Sequence, residues 1–212
     1  MADHLATTKT GRLDVSDDRV RGLIFVGVMA VIMWFAEILD TALGGDLDAY
    51  GIQPRDTDGL DGVAFSPFLH GGFDHLISNT IPFLVLGGMI ALSGLRKVVS
   101  VTVIVAVVGG LGTWLIAPAN TIHIGASGIV FGYAAYLIAR AIYTRSFPHL
   151  GAGIAVAAIW GATLLGGLVP QEGISWQGHL FGALGGLVAA WWLDGRTARR
   201  RKAAGDAAVA SY

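Results

Sequence analysis

Two residues in apolar surroundings carry the chemistry of this 212-residue chain: Ser127, set between glycines in Gly125-Ala126-Ser127-Gly128, and His179 in a second apolar run. A neutral imidazole within about 2.6–3.2 Å of a hydroxyl can take its proton, release an alkoxide to attack a carbonyl, and return the proton to a leaving amine. The oxyanion formed in that attack needs hydrogen-bond donors. Ser127 opens a helical run, where backbone N–H groups are free and the helix dipole is positive, so its own N–H is one candidate. Asn79 and His75, one helical turn apart in a third run, are two more. No carboxylate is available in these runs at the same level, so the arrangement expected is a dyad. A serine at a helix start is more often a cap, and a lone histidine more often a bond between helices.

The elements that must position these groups are membrane helices. Hydrophobic residues make up 54% of the chain, charged residues 14%, and the mean hydropathy is +0.63, against the charged share of about 25% usual in soluble domains. A hydrocarbon core of about 30 Å needs about 20 apolar residues, and six such runs are expected at about 22–39, 76–95, 98–116, 127–142, 151–168 and 174–193. The fold class expected is an all-α membrane protein, one domain over residues 22–193, with short polar tails at 1–21 and 194–212. With both termini in the cytoplasm, Lys9, Arg12, Arg19, Arg21, Arg96, Lys97, Arg140, Arg145, Arg196, Arg199, Arg200, Arg201 and Lys202 all fall inside and only Arg55 outside. Residues 1–21 are polar and mixed in charge, so no cleavable signal is expected.

Depth brings the polar residues together. Ser127 is 13 residues before Arg140 and His179 is 15 before Asp194, or roughly 20 Å and 22 Å above the inner boundary at about 1.5 Å per residue. Asn79 falls at roughly 25 Å on the same count. The three share a layer near the outer side, open to water there. Gly128 and Gly132, and Gly178, Gly182 and Gly186, have the small-xxx-small spacing that lets helices approach closely. About 30 residues, Asp40 to Leu69, separate the first two runs; polar at the start and apolar at the end, they suit a segment dipping into the outer leaflet.

Taken together, "HGGFDHLISN" (His70, His75, Asn79), "GASG" and "GHLFGALGG" (His179, Gly182, Gly186) resemble a rhomboid intramembrane serine protease of the compact six-helix bacterial type. The resemblance covers nearly everything from Gly22 to Leu193. It implies a rhomboid-like bundle with a long outer loop between helices 1 and 2, Ser127 as nucleophile, His179 as base, and an oxyanion site of Asn79, His75 and the Ser127 N–H. It also implies supporting roles for His70, Gly125, Gly128, Phe131 and Gly182, with no cofactor and no metal. The implied partners are transmembrane protein substrates and membrane lipids, not nucleic acid, and the implied location is the inner membrane with the site facing outward. Substrates would enter between helices 2 and 5, with Trp160 a gate residue.

Three features depart from the family pattern. The long loop has Arg55 but no tryptophan to pair with it, Phe131 stands where many members have tyrosine, and Asp74 in the turn before the second helix is expected to cap it. The rival readings are a rhomboid-like pseudoprotease and a small transporter, the latter disfavoured because Glu37 alone could serve ion coupling. Zinc and aspartyl intramembrane proteases lack their motifs here: there is no H-E-x-x-H and no pair of intramembrane aspartates, and Ile129 breaks a Gly-x-Ser-x-Gly elbow.

Overall fold

The computed structural model describes residues 15–196. Lys9, Arg12, Arg199, Arg200, Arg201 and Lys202, on which part of the topology argument rests, lie outside the described residues. Among the described residues seven α-helices follow one another: α1 (Val15–Leu43), α2 (Gly62–Phe65), α3 (Phe73–Ala91), α4 (Leu95–Ile116), α5 (Ser127–Thr144), α6 (Phe147–Gly166) and α7 (Trp176–Ala190). A π-helical turn, Trp191–Gly195, continues α7. Four of these helices, α1, α3, α4 and α6, are long and apolar enough to cross a membrane. α5 has 18 residues and α7 has 15.

The helices differ from the apolar runs mainly at their ends. α1 begins seven residues before Gly22, because Asp17 and Asp18 in its first turn favour a helix start although they end the apolar pattern. α6 begins four residues before Gly151 with Pro148 in its first turn, a position that tolerates a missing N–H. α3 stops at Ala91 rather than residue 95, since Gly94 turns the chain at φ 101° into α4.

α5 lies at the centre, with every residue from Ile129 to Ala134 buried. α7 and α4 pack along it, and the α5–α7 seam is built on glycine: a Cβ at Gly182 would collide with the Gly128 carbonyl, and one at Gly186 with the Gly132 carbonyl. Two backbones so close fix the relative height of the residues that begin the two helices. α3 contributes Leu76, Phe83, Leu86 and Ile90 to the same core at helical spacing, and α4 adds Val98, Val101 and Val105. α6 is the opposite extreme, burying only Gly153 and Val156, as an apolar helix does when lipid is its surroundings.

The segment from α1 to α3 folds as a cap. Short 3-10 turns at Leu47–Tyr50, Asp58–Leu60 and Ser66–Phe68 flank α2, and Val63 fills the space left by Gly110 of α4. Arg55 supplies the anchor: its guanidinium donates to the Leu115 and Ala117 carbonyls at 3.1 and 2.8 Å. The tryptophan missing from the loop comes from α4 instead, where Trp114 Nε1 donates to the Asp56 carbonyl at 2.7 Å.

At the far end of α5 from Ser127, charge is buried rather than merely marking a boundary. Asp194 accepts from Lys97 Nζ at 3.0 Å and Tyr136 Oη at 2.8 Å and lies 3.6 Å from Arg140 Nε, while Arg140 also donates to Ser93 Oγ at 2.8 Å. These bonds tie α4, α5 and the π turn together.

Candidate active site

Ser127 is the first residue of α5. Ala126 takes the cap position, so the serine hydroxyl is not used to close the helix end. The segment before it is held on both sides: Gly125 N–H donates to the Ser66 carbonyl at 2.8 Å and Ala126 N–H to His70 Nε2 at 3.3 Å. Gly125 itself has φ 109°, a conformation that a side chain resists, and this turns the chain sharply into α5.

His179 lies in the first turn of α7 and is buried. Its Nε2 is 2.9 Å from Ser127 Oγ, and its Nδ1 is 2.7 Å from the Gly167 carbonyl. The carbonyl can only accept, so Nδ1 carries the ring proton and Nε2 is left as an acceptor for the serine proton. A backbone oxygen thus orients the imidazole where a carboxylate would do so in a triad. Phe131, one turn after the serine, stacks on the same ring with centroids 4.0 Å apart and planes 7° from parallel. Gly167 must be glycine for this packing, because a Cβ there would stand 2.5 Å from Phe131 Cζ and 3.0 Å from His179 Nδ1.

The donors sit opposite, on α3. Gly71 N–H donates to His75 Nδ1 at 3.4 Å, which leaves the Nε2 proton free to point elsewhere. Asn79 Nδ2 gives one proton to the His75 carbonyl at 3.0 Å and keeps the other. Both groups look onto Gly125: the position of a Cβ there is 2.8 Å from His75 Nε2 and 3.8 Å from Asn79 Nδ2. His75 also meets His70 edge to face, with centroids 5.1 Å apart. Asp74 does not cap α3. Gly72 holds that position at φ 108°, and Asp74 is exposed in the first turn.

A cavity of about 1310 Å³ reaches Ser127 and His179. Ser78, Asn79 and Pro82 of α3 line one side, and Trp160, Thr163 and Leu164 of α6 the other. Its size exceeds the 300–1,000 Å³ of a small-molecule pocket. The geometry therefore brings Ser127, His179, Asn79, His75 and Phe131 around one space, with Gly125 packed against His75, Gly128 and Gly182 in the seam behind, and His70 bonded to the Ala126 N–H. Gly167 is the participant that sequence reasoning missed; a backbone carbonyl leaves no trace in residue type, apart from the paired glycines at 166 and 167.

Comparison with known proteins identifies a family. A family model described as "Rhomboid domain" matches residues 60–196. An uncharacterized protein of Mycobacterium tuberculosis is 43% identical over 209 residues, covering 94% of this chain and 85% of the relative. An uncharacterized protein of Mycobacterium leprae is 40% identical over 197 residues, covering 88% and 77%. A Bacillus subtilis protein named "Putative rhomboid protease YdcA" is 26% identical over 134 residues, covering 62% and 66%. With the family model spanning more than half of its length, this membrane protein belongs to the rhomboid family.

Proposed function

We propose that this protein is an intramembrane serine endopeptidase that cuts transmembrane segments of other membrane proteins through Ser127 and His179. The observation that carries the reading is the 2.9 Å contact between Ser127 Oγ and a His179 Nε2 left unprotonated by the Gly167 carbonyl. His179 Nε2 takes the hydroxyl proton as Oγ bonds to the scissile carbonyl carbon. The carbonyl oxygen becomes an oxyanion and accepts hydrogen bonds from His75 Nε2, Asn79 Nδ2 and the Ser127 N–H. The imidazolium then protonates the departing amine as the C–N bond breaks, leaving an acyl-serine. Water, deprotonated by the same imidazole, attacks the ester and restores the serine.

Six spans fit this reading, with α5 and the α7–π unit crossing as well as the four long helices, the termini in the cytoplasm and the site toward the outer face of the inner membrane. A substrate helix hides its carbonyls in hydrogen bonds and must unwind before Ser127 reaches one; the cavity between α3 and α6 gives it room, with Trp160 on the entry side. A transmembrane peptide reconstituted with the protein in liposomes tests the proposal. Wild type cleaves it while Ser127→Ala and His179→Ala do not. Binding without cleavage by folded wild type would overturn the proposal in favour of a pseudoprotease.

A further inference from the structure

The loop ahead of Ser127 holds a second histidine that this chemistry does not use. His123 Nε2 lies 2.9 Å from Thr121 Oγ1, and its Nδ1 lies 2.7 Å from Ser175 Oγ. The neighbours fix the direction of each bond. Thr121 gives its own proton to the Pro118 carbonyl at 2.6 Å, so toward His123 it accepts, and Nε2 carries the ring proton. Nδ1 is then a bare acceptor for the Ser175 proton. The Ser175 oxygen keeps a lone pair for the Gly178 N–H at 3.3 Å, one of the free amides at the start of α7. Burial pushes the His123 imidazole below its ordinary range, which favours this neutral form.

His123 is also held through its backbone. Its N–H and C=O pair with Ile52 at 3.0 and 2.9 Å, an isolated antiparallel bridge to the cap between α1 and α3. The side-chain bond therefore spans two segments that each lead into one half of the dyad. His123 is four residues before Ser127, and Ser175 is four residues before His179, whose N–H bonds back to the Ser175 carbonyl at 3.0 Å. The glycine seam of α5 and α7 reaches Gly128 and Gly178 in their first turns, and the His123–Ser175 bond joins the segments that run ahead of those turns.

We infer that His123 is a positioning residue, clamping the segment that leads into Ser127 to the segment that leads into His179 and thereby setting the distance across the dyad. The inference rests on the protease reading above. His123→Phe keeps a ring of similar volume and strands the Ser175 proton and the Thr121 oxygen. Ser175→Gly removes the same bond while keeping most of the capping preference at α7. Ser175→Thr keeps both.

The test uses the full-length protein in detergent and measures the rate at which a fluorophosphonate probe labels Ser127, together with hydrogen exchange of the Gly178 and His179 amides. Loss of the clamp lowers the labelling rate about ten- to a hundredfold, the scale of a small misplacement of reacting groups, and speeds exchange at both amides. His123→Phe and Ser175→Gly lose by similar factors, the double variant loses no more than the worse single, because both break one bond, and Ser175→Thr labels like wild type. His123→Phe labelling at the wild-type rate would overturn the inference, as would two single losses that multiply in the double variant. If His123→Phe does not fold, Ser175→Gly against Ser175→Thr decides the question in its place: a slowed glycine variant beside an unaffected threonine variant supports the clamp, and equal rates overturn it. Wild type that labels no faster than Ser127→Ala removes the reaction and this inference together, and that failure is visible before any clamp variant is compared.

Discussion

Replacing Gly125 by alanine separates the oxyanion site from simple backbone strain. The new Cβ would stand 2.7 Å from His75 Cε1, 2.8 Å from His75 Nε2 and 3.8 Å from Asn79 Nδ2. Ordinary carbon contacts lie at about 3.5–4.0 Å, so the imidazole must retreat by roughly 0.7 Å or more. The methyl crowds the Cε1–Nε2 edge of His75, so the ring that carries the proposed oxyanion donor is displaced. Losing one such donor lowers kcat by about 10²–10³, and at least that loss is expected. Holding alanine at φ 109° costs about 1–3 kcal/mol, or about 2–4 °C of thermal midpoint for each kcal/mol in a chain of this size. Gly45→Ala is the control: Gly45 has φ 91° with nothing within 4 Å of its Cβ, so that variant bears comparable strain and keeps its activity. Cleavage rate and thermal unfolding in detergent are measured for both. A Gly125→Ala rate within a factor of about three of Gly45→Ala, far short of the loss of one donor, would refute this picture of the oxyanion site.

Phe131→Ala removes the ring stacked on His179 and lowers kcat about two- to tenfold, the worth of an aromatic pair at about 0.5–1.5 kcal/mol; Phe131→Tyr keeps the stack and the rate. Asp194→Ala leaves Lys97 and Arg140 facing each other without their carboxylate and destabilises the protein by about 3 kcal/mol, the lower end for breaking a buried pair, with labelling per folded molecule unchanged. In the cap between α1 and α3, burial and then the charges of Asp40 and Glu37 push the Asp48 carboxyl up to about 6, and its Oδ1 has no hydrogen-bond partner among the described residues. A carboxyl raised in the folded state contributes stability below its unfolded value near 3.8 and loses it as pH rises through about 6. Asp48→Asn is therefore expected to raise the thermal midpoint at about pH 7.5 and not at about pH 3.5, by under about 1 kcal/mol once solvent screening is allowed for; an equal shift at both pH values would contradict the assignment.

The layout of the candidate site was more legible than its supports. Ser127, His179 and Asn79 stand out because a polar side chain in an apolar run is conspicuous, and counting helical rise places them at one level. Their approach also follows from glycine spacing, since Gly128, Gly132, Gly182 and Gly186 do form the seam. The Gly167 carbonyl that sets the His179 tautomer has no side-chain signature. Trp114 was hidden for a different reason: the loop lacked a tryptophan, and nothing in the loop's own sequence says that α4 supplies one. Lys97, Arg140 and Asp194 read as boundary charges, yet they pair across α4, α5 and the π turn, a tertiary arrangement that hydropathy does not encode. Helix ends shifted where polar first turns, as at Asp17 and Asp18, continue a helix beyond its apolar run.

The central claim is that Ser127 is a nucleophile activated by His179. Reaction of the purified protein with a fluorophosphonate serine probe, followed by mass mapping of the modified residue, tests it most directly. A single adduct is predicted on Ser127 in wild type, none in Ser127→Ala, and labelling slowed at least about a hundredfold in His179→Ala, the lower end of what a positioned general base contributes. Folded wild type that forms no adduct, or His179→Ala that labels at the wild-type rate, would contradict it.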